Sequence, residues 1–250
     1  MKSIFIFLMS LLSLFCSPYS FADEYKEATF KDTRYRLYFT DPLKIELYWK
    51  DKKTGKPLTF FSKVQEIVEY GGRKVSFMMN GGIFDRGDPL GLHIEDGKIL
   101  NPLNLKNGEG NFYLKPNGVF YVDHAGKAGI LESNEYVKSN IQPKIALQAG
   151  PMLIQNGKIH PKFNADSKNH KHRNGVGIDK DGKVIFAITE TGNKQKKFPN
   201  LYEFSELFKS LNCDNALFLD GDLSMMVVNP EGKIKDGNPL GAIIAITEKN

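Results

Sequence analysis

The sequence predicts an α+β fold: a single domain of mixed β-sheets built from many hairpins, with few helices. Short apolar or alternating runs rich in β-branched residues recur along the chain, as strands require. A turn pattern of Asp, Asn or Glu followed by Gly, Lys and Ile or Val recurs at Asp96–Ile99, Asn156–Ile159, Asp181–Val184 and Glu231–Ile234. Asn117-Gly118-Val119 is a close variant. Asn-Gly and Asp-Gly tolerate the positive φ of tight turns, so each reads as a hairpin tip. Only two segments carry helical spacing.

Taken in order, strands are expected over Arg36–Thr40 and Lys44–Trp49. A helix follows, with Phe60, Phe61, Val64, Ile67 and Val68 on one face and Gly71-Gly72 ending it. Strands come next over Val75–Met79, Leu90–Glu95, Phe112–Leu114, Val119–Val122, Ile145–Gln148 and Met152–Gln155, then over Val176–Ile178 and Val184–Thr189. Asn200 is placed to cap a second helix, whose face is Leu201, Phe204, Leu207, Phe208 and Leu211. Ala216–Leu219, Met225–Val228 and Ala242–Thr247 complete the strands. The turn pattern has no fixed period, which excludes a propeller or solenoid. Residues 164–171 and 192–197 are polar, Lys-rich and aperiodic, and read as mobile loops, the second one closing over a site.

Residues 1–22 stand apart. Lys2 precedes an apolar run, Ile4–Phe15, that is too short to span a bilayer, and Ser20-Phe21-Ala22 places small residues where signal peptidase needs them. The segment reads as a signal peptide removed before Asp23, leaving a domain of residues 23–250 that is periplasmic or secreted and has no membrane span. Loss of Cys16 leaves Cys213 unpaired among Leu211, Ala216, Leu217 and Leu219, a core thiol. Lys and Arg number 34 against 29 acidic residues, a formal charge of +5, which does not support nucleic-acid binding by bulk charge.

Three constellations bear chemistry. In Met78–Asp85 a strand runs into Asn80-Gly81-Gly82, whose amides can form an anion-binding nest, and Asp85 follows. In His172–Ile178 an arginine, Arg173, stands at the mouth of a Gly-containing strand and can fork onto phosphate or carboxylate. In Leu217–Ser224 a buried strand ends at Asp220-Gly221-Asp222, a place for a general base or a metal. Each has a plain alternative: a tight turn, a surface arginine, a solvated turn. The histidines show no metal-ligand spacing, and the sequence lacks the serine-hydrolase elbow, the phosphate loop and the dinucleotide fingerprint.

The order Asn80-Gly81-Gly82-x-Phe84-Asp85, Pro89–Leu92, Ala149–Leu153, Arg173–Gly177, an amphipathic helix, then Leu219-Asp220-Gly221 with Ser224, resembles the phosphodiester glycosidase family of the uncovering-enzyme type. Gly110–Phe120 is similar to its bacterial, exported branch. The likeness covers about residues 70–247. It implies hydrolysis of a sugar-1-phosphodiester bond in an envelope or extracellular glycan, with a phosphorylated glycan or sugar phosphodiester as substrate and no required cofactor. It assigns Asp220 as base or oxocarbenium stabiliser, with Asp85 and Glu190 in reserve. The phosphate would lie against Arg173 and Asn80-Gly81-Gly82, with Gly221 and Ser224 beside them. The chain departs from the eukaryotic pattern at Gly221-Asp222-Leu223, which puts a negative charge where glycines stand, so Asp220 and Asp222 are also candidates for a divalent cation. The alternatives are a catalytically silent envelope module that binds anionic glycan or a protein, and a metal-dependent phosphodiesterase.

Overall fold

The computed structural model describes residues 22–192, 195 and 197–249, so the expected signal peptide lies outside the described residues except for Ala22. The chain opens with β1 (Glu24–Phe30), β2 (Thr33–Thr40) and β3 (Ile45–Tyr48), followed by α1 (Phe61–Tyr70) and β4 (Arg73–Asn80). Short pieces follow: β5 (Phe84–Asp85), β6 (Asp88–Pro89), β7 (His93–Glu95) and β8 (Lys98–Asn101). Next come β9 (Gly118–Asp123), β10 (Ala128–Glu132), α2 (Ser133–Ser139), β11 (Pro143–Ala149), β12 (Met152–Gln155) and β13 (Lys158–Ile159). The last third holds β14 (Asn174–Asp179), β15 (Val184–Thr189), α3 (Leu201–Ser210), β16 (Cys213–Asp220), β17 (Met226–Val228) and β18 (Ile243–Lys249).

The strands form a seven-stranded sheet in the order β1-β2-β15-β14-β16-β12-β13, a five-stranded sheet β10-β9-β11-β7-β8, a four-stranded sheet β17-β4-β18-β3 and a two-stranded hairpin β5-β6. One core lies between the three larger sheets, where Tyr38, Phe77, Phe120, Phe186, Leu217 and Ile244 meet. α3 covers the other face of the large sheet through Phe204, Leu207 and Phe208. α1 covers the four-stranded sheet through Phe61, Val64 and Val68. The fold is a single α+β domain, as the sequence predicts.

Asp96-Gly97 and Asn156-Gly157 are hairpin tips with both residues at positive φ (48° and 75°, 50° and 74°), the geometry their side chains tolerate. Asp181-Gly182 also sits at a tip, between β14 and β15. Glu231-Gly232 does not: it lies in the long connection from β17 to β18. Asn117-Gly118 is not a tip either, since Gly118 opens β9 and the Asn117 side chain donates to Phe112 O. Phe112–Leu114 is a 3-10 turn, Asn111–Tyr113, with Phe112 turned into the protein, instead of a strand. The predicted strand over Leu90–Glu95 shortens to His93–Glu95.

Beyond the short strands β5, β6, β8 and β13, three elements lie outside the expected runs: β1, β10 and α2. The sequence of β1, EYKEATF, is polar at most positions; it pairs with β2 through every residue, while Ala28 and Phe30 pack partly buried against the core and Glu27 pairs with Arg34. β10 pairs with β9 while holding only Ile130 buried. α2 is too short for a helical period and begins where the Glu132 carboxylate accepts from Asn134 N and Glu135 N.

The loop at 164–171, predicted mobile, is tied down. Asn200 caps α3 in a capping box with Glu203, and its Nδ2 donates to Ala165 O (2.9 Å) and Ser167 O (3.0 Å). Lys171 N donates to Pro199 O. In the second predicted loop, Gln195 bonds both backbone groups of Arg34. Replacing Asn200 with Ala removes the cap and both loop anchors. It is expected to cost about 2–3 kcal/mol, against ~1 for an ordinary cap, and to expose residues 164–171 to protease. Urea midpoints and limited proteolysis of the variant check this.

Cys213 is a free, buried thiol whose pKa burial pushes up to about 12, so it is a core group and not a nucleophile.

Candidate active site

Asn80 ends β4, Asn174 begins β14 and Asp220 ends β16, and the meeting of the four- and seven-stranded sheets brings the three together. A register shift between Asn174 and Gly175 sets Asn174 opposite Asp220. Asn174 is fully buried, and its hydrogen bonds decide every amide orientation. Asp220 N donates to Asn174 Oδ1 (2.8 Å), so Nδ2 must face Asn80, where it donates to O (3.0 Å) and Oδ1 (3.1 Å). Asn80 Oδ1 also accepts from Met225 N (2.8 Å). That leaves Asn80 Nδ2 to donate to Asp220 Oδ2 (3.2 Å). Gly221 N donates to the other carboxylate oxygen at 2.7 Å.

Burial raises the pKa of Asp220 above the ordinary carboxylate range, the nearby charge of Asp222 adds to the rise, and the two donors partly offset it. A carboxylate held this way has a fixed direction and a heightened affinity for a proton, the properties a general base needs.

Arg173, the residue before Asn174, is 1% exposed. Its Nε donates to Pro199 O (3.0 Å) and its Nη2 to Asn169 O (2.8 Å), so the side edge of the fork expected for phosphate is occupied by backbone. The guanidinium carbon sits 5.7 Å from the Phe218 ring centroid, and no carboxylate among the described residues lies within ion-pair distance. Burial lowers its pKa to about 10, which leaves it cationic at neutral pH. Arg173 therefore supplies positive charge and also holds the 164–171 loop. Its truncation to Ala is expected to destabilise the fold as well as the site, since both backbone contacts are lost.

The structure also brings in His172 and Thr189, which the sequence reading left aside. His172 Nε2 lies 2.9 Å from Ser224 O and Nδ1 lies 2.6 Å from Thr189 Oγ1. A carbonyl only accepts, so the proton sits on Nε2, and Nδ1 accepts from the threonine hydroxyl. Arg173 N in turn donates to Thr189 Oγ1 at 3.0 Å. Burial lowers the pKa of His172 and keeps the ring neutral. Because the folded state resists protonation, the stability it lends is present above the ordinary histidine range and is lost as pH falls through that range. His172→Gln is expected to flatten the fall in melting temperature between about pH 7 and pH 5, and His160, also lowered by burial, to account for what slope persists.

Other predicted residues are arranged differently. Gly81 N donates to Ala242 O (2.7 Å), so this amide does not turn inward to form a nest. Gly82 is required by close packing, since a Cβ there would lie 2.8 Å from Gln148 O. The Ser224 hydroxyl donates to Gly221 O at 2.5 Å, closing the turn after Asp220. Glu190 faces Arg36, with Oε2 3.5 Å from Nε, on the strand end next to Thr189. Asp85 is on an exposed hairpin beside Arg86, lining a cleft of about 440 Å³ in which Asn80, Arg173 and Asp220 take no part. Asp222 is exposed and pairs with Lys171 Nζ at 2.8 Å. The two carboxylates considered for a cation are thus engaged separately, and among the described residues no group of three His, Cys, Asp or Glu side chains gathers as a metal donor set.

The fold and this amide–carboxylate cluster define a β-rich domain with one partly buried carboxylate at the junction of two sheets. The sequence profile of phosphodiester glycosidases matches residues 73–247, and the chain belongs to that family. An uncharacterised protein of Escherichia coli K12, YigE, is 38% identical over 186 residues, covering 73% of this chain and 69% of that one. Among solved structures, the catalytic domain of zebrafish N-acetylglucosamine-1-phosphodiester α-N-acetylglucosaminidase, auto-inhibited by its pro-peptide, superposes with a TM-score of 0.62 at 18% identity, over 90% of this chain and 82% of that one. A putative exported protein of Burkholderia pseudomallei K96243 superposes with a TM-score of 0.56 at 11% identity, over 86% and 74% of the two chains. These two likenesses show the shared fold. No helix among the described residues is long and apolar enough to cross a membrane.

Proposed function

We propose that the protein is exported by loss of residues 1–22 and hydrolyses a glycosyl-phosphate bond of an envelope or extracellular glycan. The observation that carries the reading is the partly buried Asp220 carboxylate, aimed by Asn80 and Asn174 within a chain of this family. Asp220 stands at the anomeric carbon, takes a proton from the attacking water and stabilises the oxocarbenium-like centre. Water oxygen bonds to C1, the C1–O bond breaks, and its electron pair leaves on the phosphate oxygen. A phosphate monoester is a weakly basic leaving group, so the reaction needs charge stabilisation more than a second carboxylic acid. Arg173 supplies that charge, and Glu190, set against Arg36, is held in reserve.

Asp222 sets how anionic a substrate the site accepts. Its charge reaches Asp220, Arg173 and His172, and Lys171 balances it. Asp222→Asn is expected to lower KM for a phosphodiester about three- to tenfold, and Lys171→Ala to raise it by a similar factor, with kcat little changed. Steady-state kinetics of both variants at two salt concentrations check this.

The reading is tested with the purified protein and a panel of glycosyl phosphodiesters in water labelled with heavy oxygen. Free sugar carrying the label, with an unlabelled phosphomonoester, supports it. Label in the phosphate would mean P–O cleavage. Saturable binding with no product from any substrate would favour a silent glycan-binding module, for which Asp222 at the site's mouth is the supporting observation.

A further inference from the structure

At the end of the four-stranded sheet away from Asn80, the surface opens into a cleft of about 840 Å³. Arg73 begins β4 and Asn80 ends it, so the cleft floor lies roughly 20–24 Å along the strand from the Asp220 cluster. That floor is a polar network. Glu46 Oε1 accepts from Arg73 Nη1 (2.6 Å) and Thr247 Oγ1 (2.7 Å), and Glu46 Oε2 accepts from Tyr48 OH (2.7 Å). One wall is the C-terminal half of α1, which presents Ile67 and Tyr70, the latter 88% exposed.

The charges are sorted by sign. Every carboxylate on the lining is engaged within the protein. Glu46 pairs with Arg73, Asp96 with Lys52 and Glu66 with Lys63. Glu95 accepts from Trp49 N and contacts His93, while Asp51 accepts from Lys53 N and Thr54 N. Lys50, Lys53, Lys144 and Lys249 line the same cleft with no carboxylate within ion-pair distance among the described residues. Two of these ammonium groups lie over aromatic rings, Lys50 at 3.6 Å from the Trp49 centroid and Lys53 at 5.3 Å from that of Tyr70.

We propose that this cleft binds an acidic oligosaccharide. The unpaired lysines take carboxylate or phosphate groups, the exposed Tyr70 face stacks on a sugar ring, and the half-buried Tyr48, Thr247 and Arg73 floor meets hydroxyls, which both donate and accept. The site is distinct from the Asp220 cluster and does not depend on the glycosidase reading. It would keep a polyanionic glycan on the protein whether or not the far end cuts it.

Calorimetric titration of the purified protein with a galacturonate heptamer, a phosphorylated maltoheptaose, plain maltoheptaose and a glutamate heptapeptide tests the proposal. Saturable, salt-sensitive binding is expected for at least one acidic sugar and for neither of the other two, and comparison of the two acidic sugars separates uronate from phosphate recognition. Lys53→Glu with Lys249→Glu is expected to weaken it at least about tenfold, and Tyr70→Ala about fivefold, with unchanged melting temperature and unchanged turnover of a small substrate. No saturation by either acidic sugar, binding indifferent to these variants, or equally tight binding of the glutamate peptide would overturn it.

Discussion

Asp220→Asn is expected to lower kcat by at least about a thousandfold, the scale of losing a positioned base together with its electrostatic support of the transition state. The fold should survive, because Gly221 N keeps an oxygen acceptor. One contact turns unfavourable: Asn80 Nδ2 would face a second amide nitrogen. The wild-type rate carries a second signature. Catalysis requires the ionised carboxylate, and burial with the Asp222 charge raises its pKa. The acid limb of kcat/KM is therefore expected above the usual carboxylate range, and Asp222→Asn should move it to lower pH. Stability has the opposite sign: the folded state favours the protonated carboxyl, so this group's contribution is greatest in acid and is lost as pH rises through its folded pKa. Rate profiles of the wild type and both variants decide the matter. Full activity in Asp220→Asn, or an acid limb unmoved in Asp222→Asn, removes Asp220 from the role of base.

Asn174→Ala is expected to be the most destabilising of the single changes at the site, by about 3–4 kcal/mol. It deletes three hydrogen bonds at a fully buried position and leaves Asp220 N, Asn80 O and Asn80 Oδ1 short of a partner. Asn174→Asp separates shape from chemistry. It has the same size, but it sets a carboxylate oxygen against Asn80 O and Oδ1, which are both acceptors, so it should be no more stable than the alanine variant. Urea unfolding of the two proteins checks the pair. An Asp variant with near-wild-type stability would mean that the amide is oriented the other way. Both variants should also lose activity, since Asn174 holds Asn80, and Asn80 aims Asp220.

The regular elements were legible because their signals are local. The apolar face of α1, the cap at Asn200 and the Asp96-Gly97 and Asn156-Gly157 turns each depend on residues a few positions apart. β1 was not legible because only Ala28 and Phe30 of its polar sequence face the core, too short a stripe to mark a strand, and α2 because its first turn is held by a glutamate cap that does not stand out in sequence. The acidic end of β16 could be read from a buried run that stops at Asp220. The importance of Asn174 could not, since an Asn at a strand mouth looks like any turn residue until two other strands are laid against it.

By itself the sequence determined the fold class, the two long helices, the tight hairpin tips and the positions of Asn80, Arg173 and Asp220 as marked sites. Only the tertiary structure decided their surroundings. It set Arg173 against backbone carbonyls, turned Gly81 away from the site, left Asp85 on an outer hairpin, and made His172 and Asn174 partners of the cluster. The reason is physical: propensity and turn chemistry act over a few residues, whereas the direction of a buried hydrogen bond and the pKa of a buried carboxyl are set by groups from strands far apart in sequence.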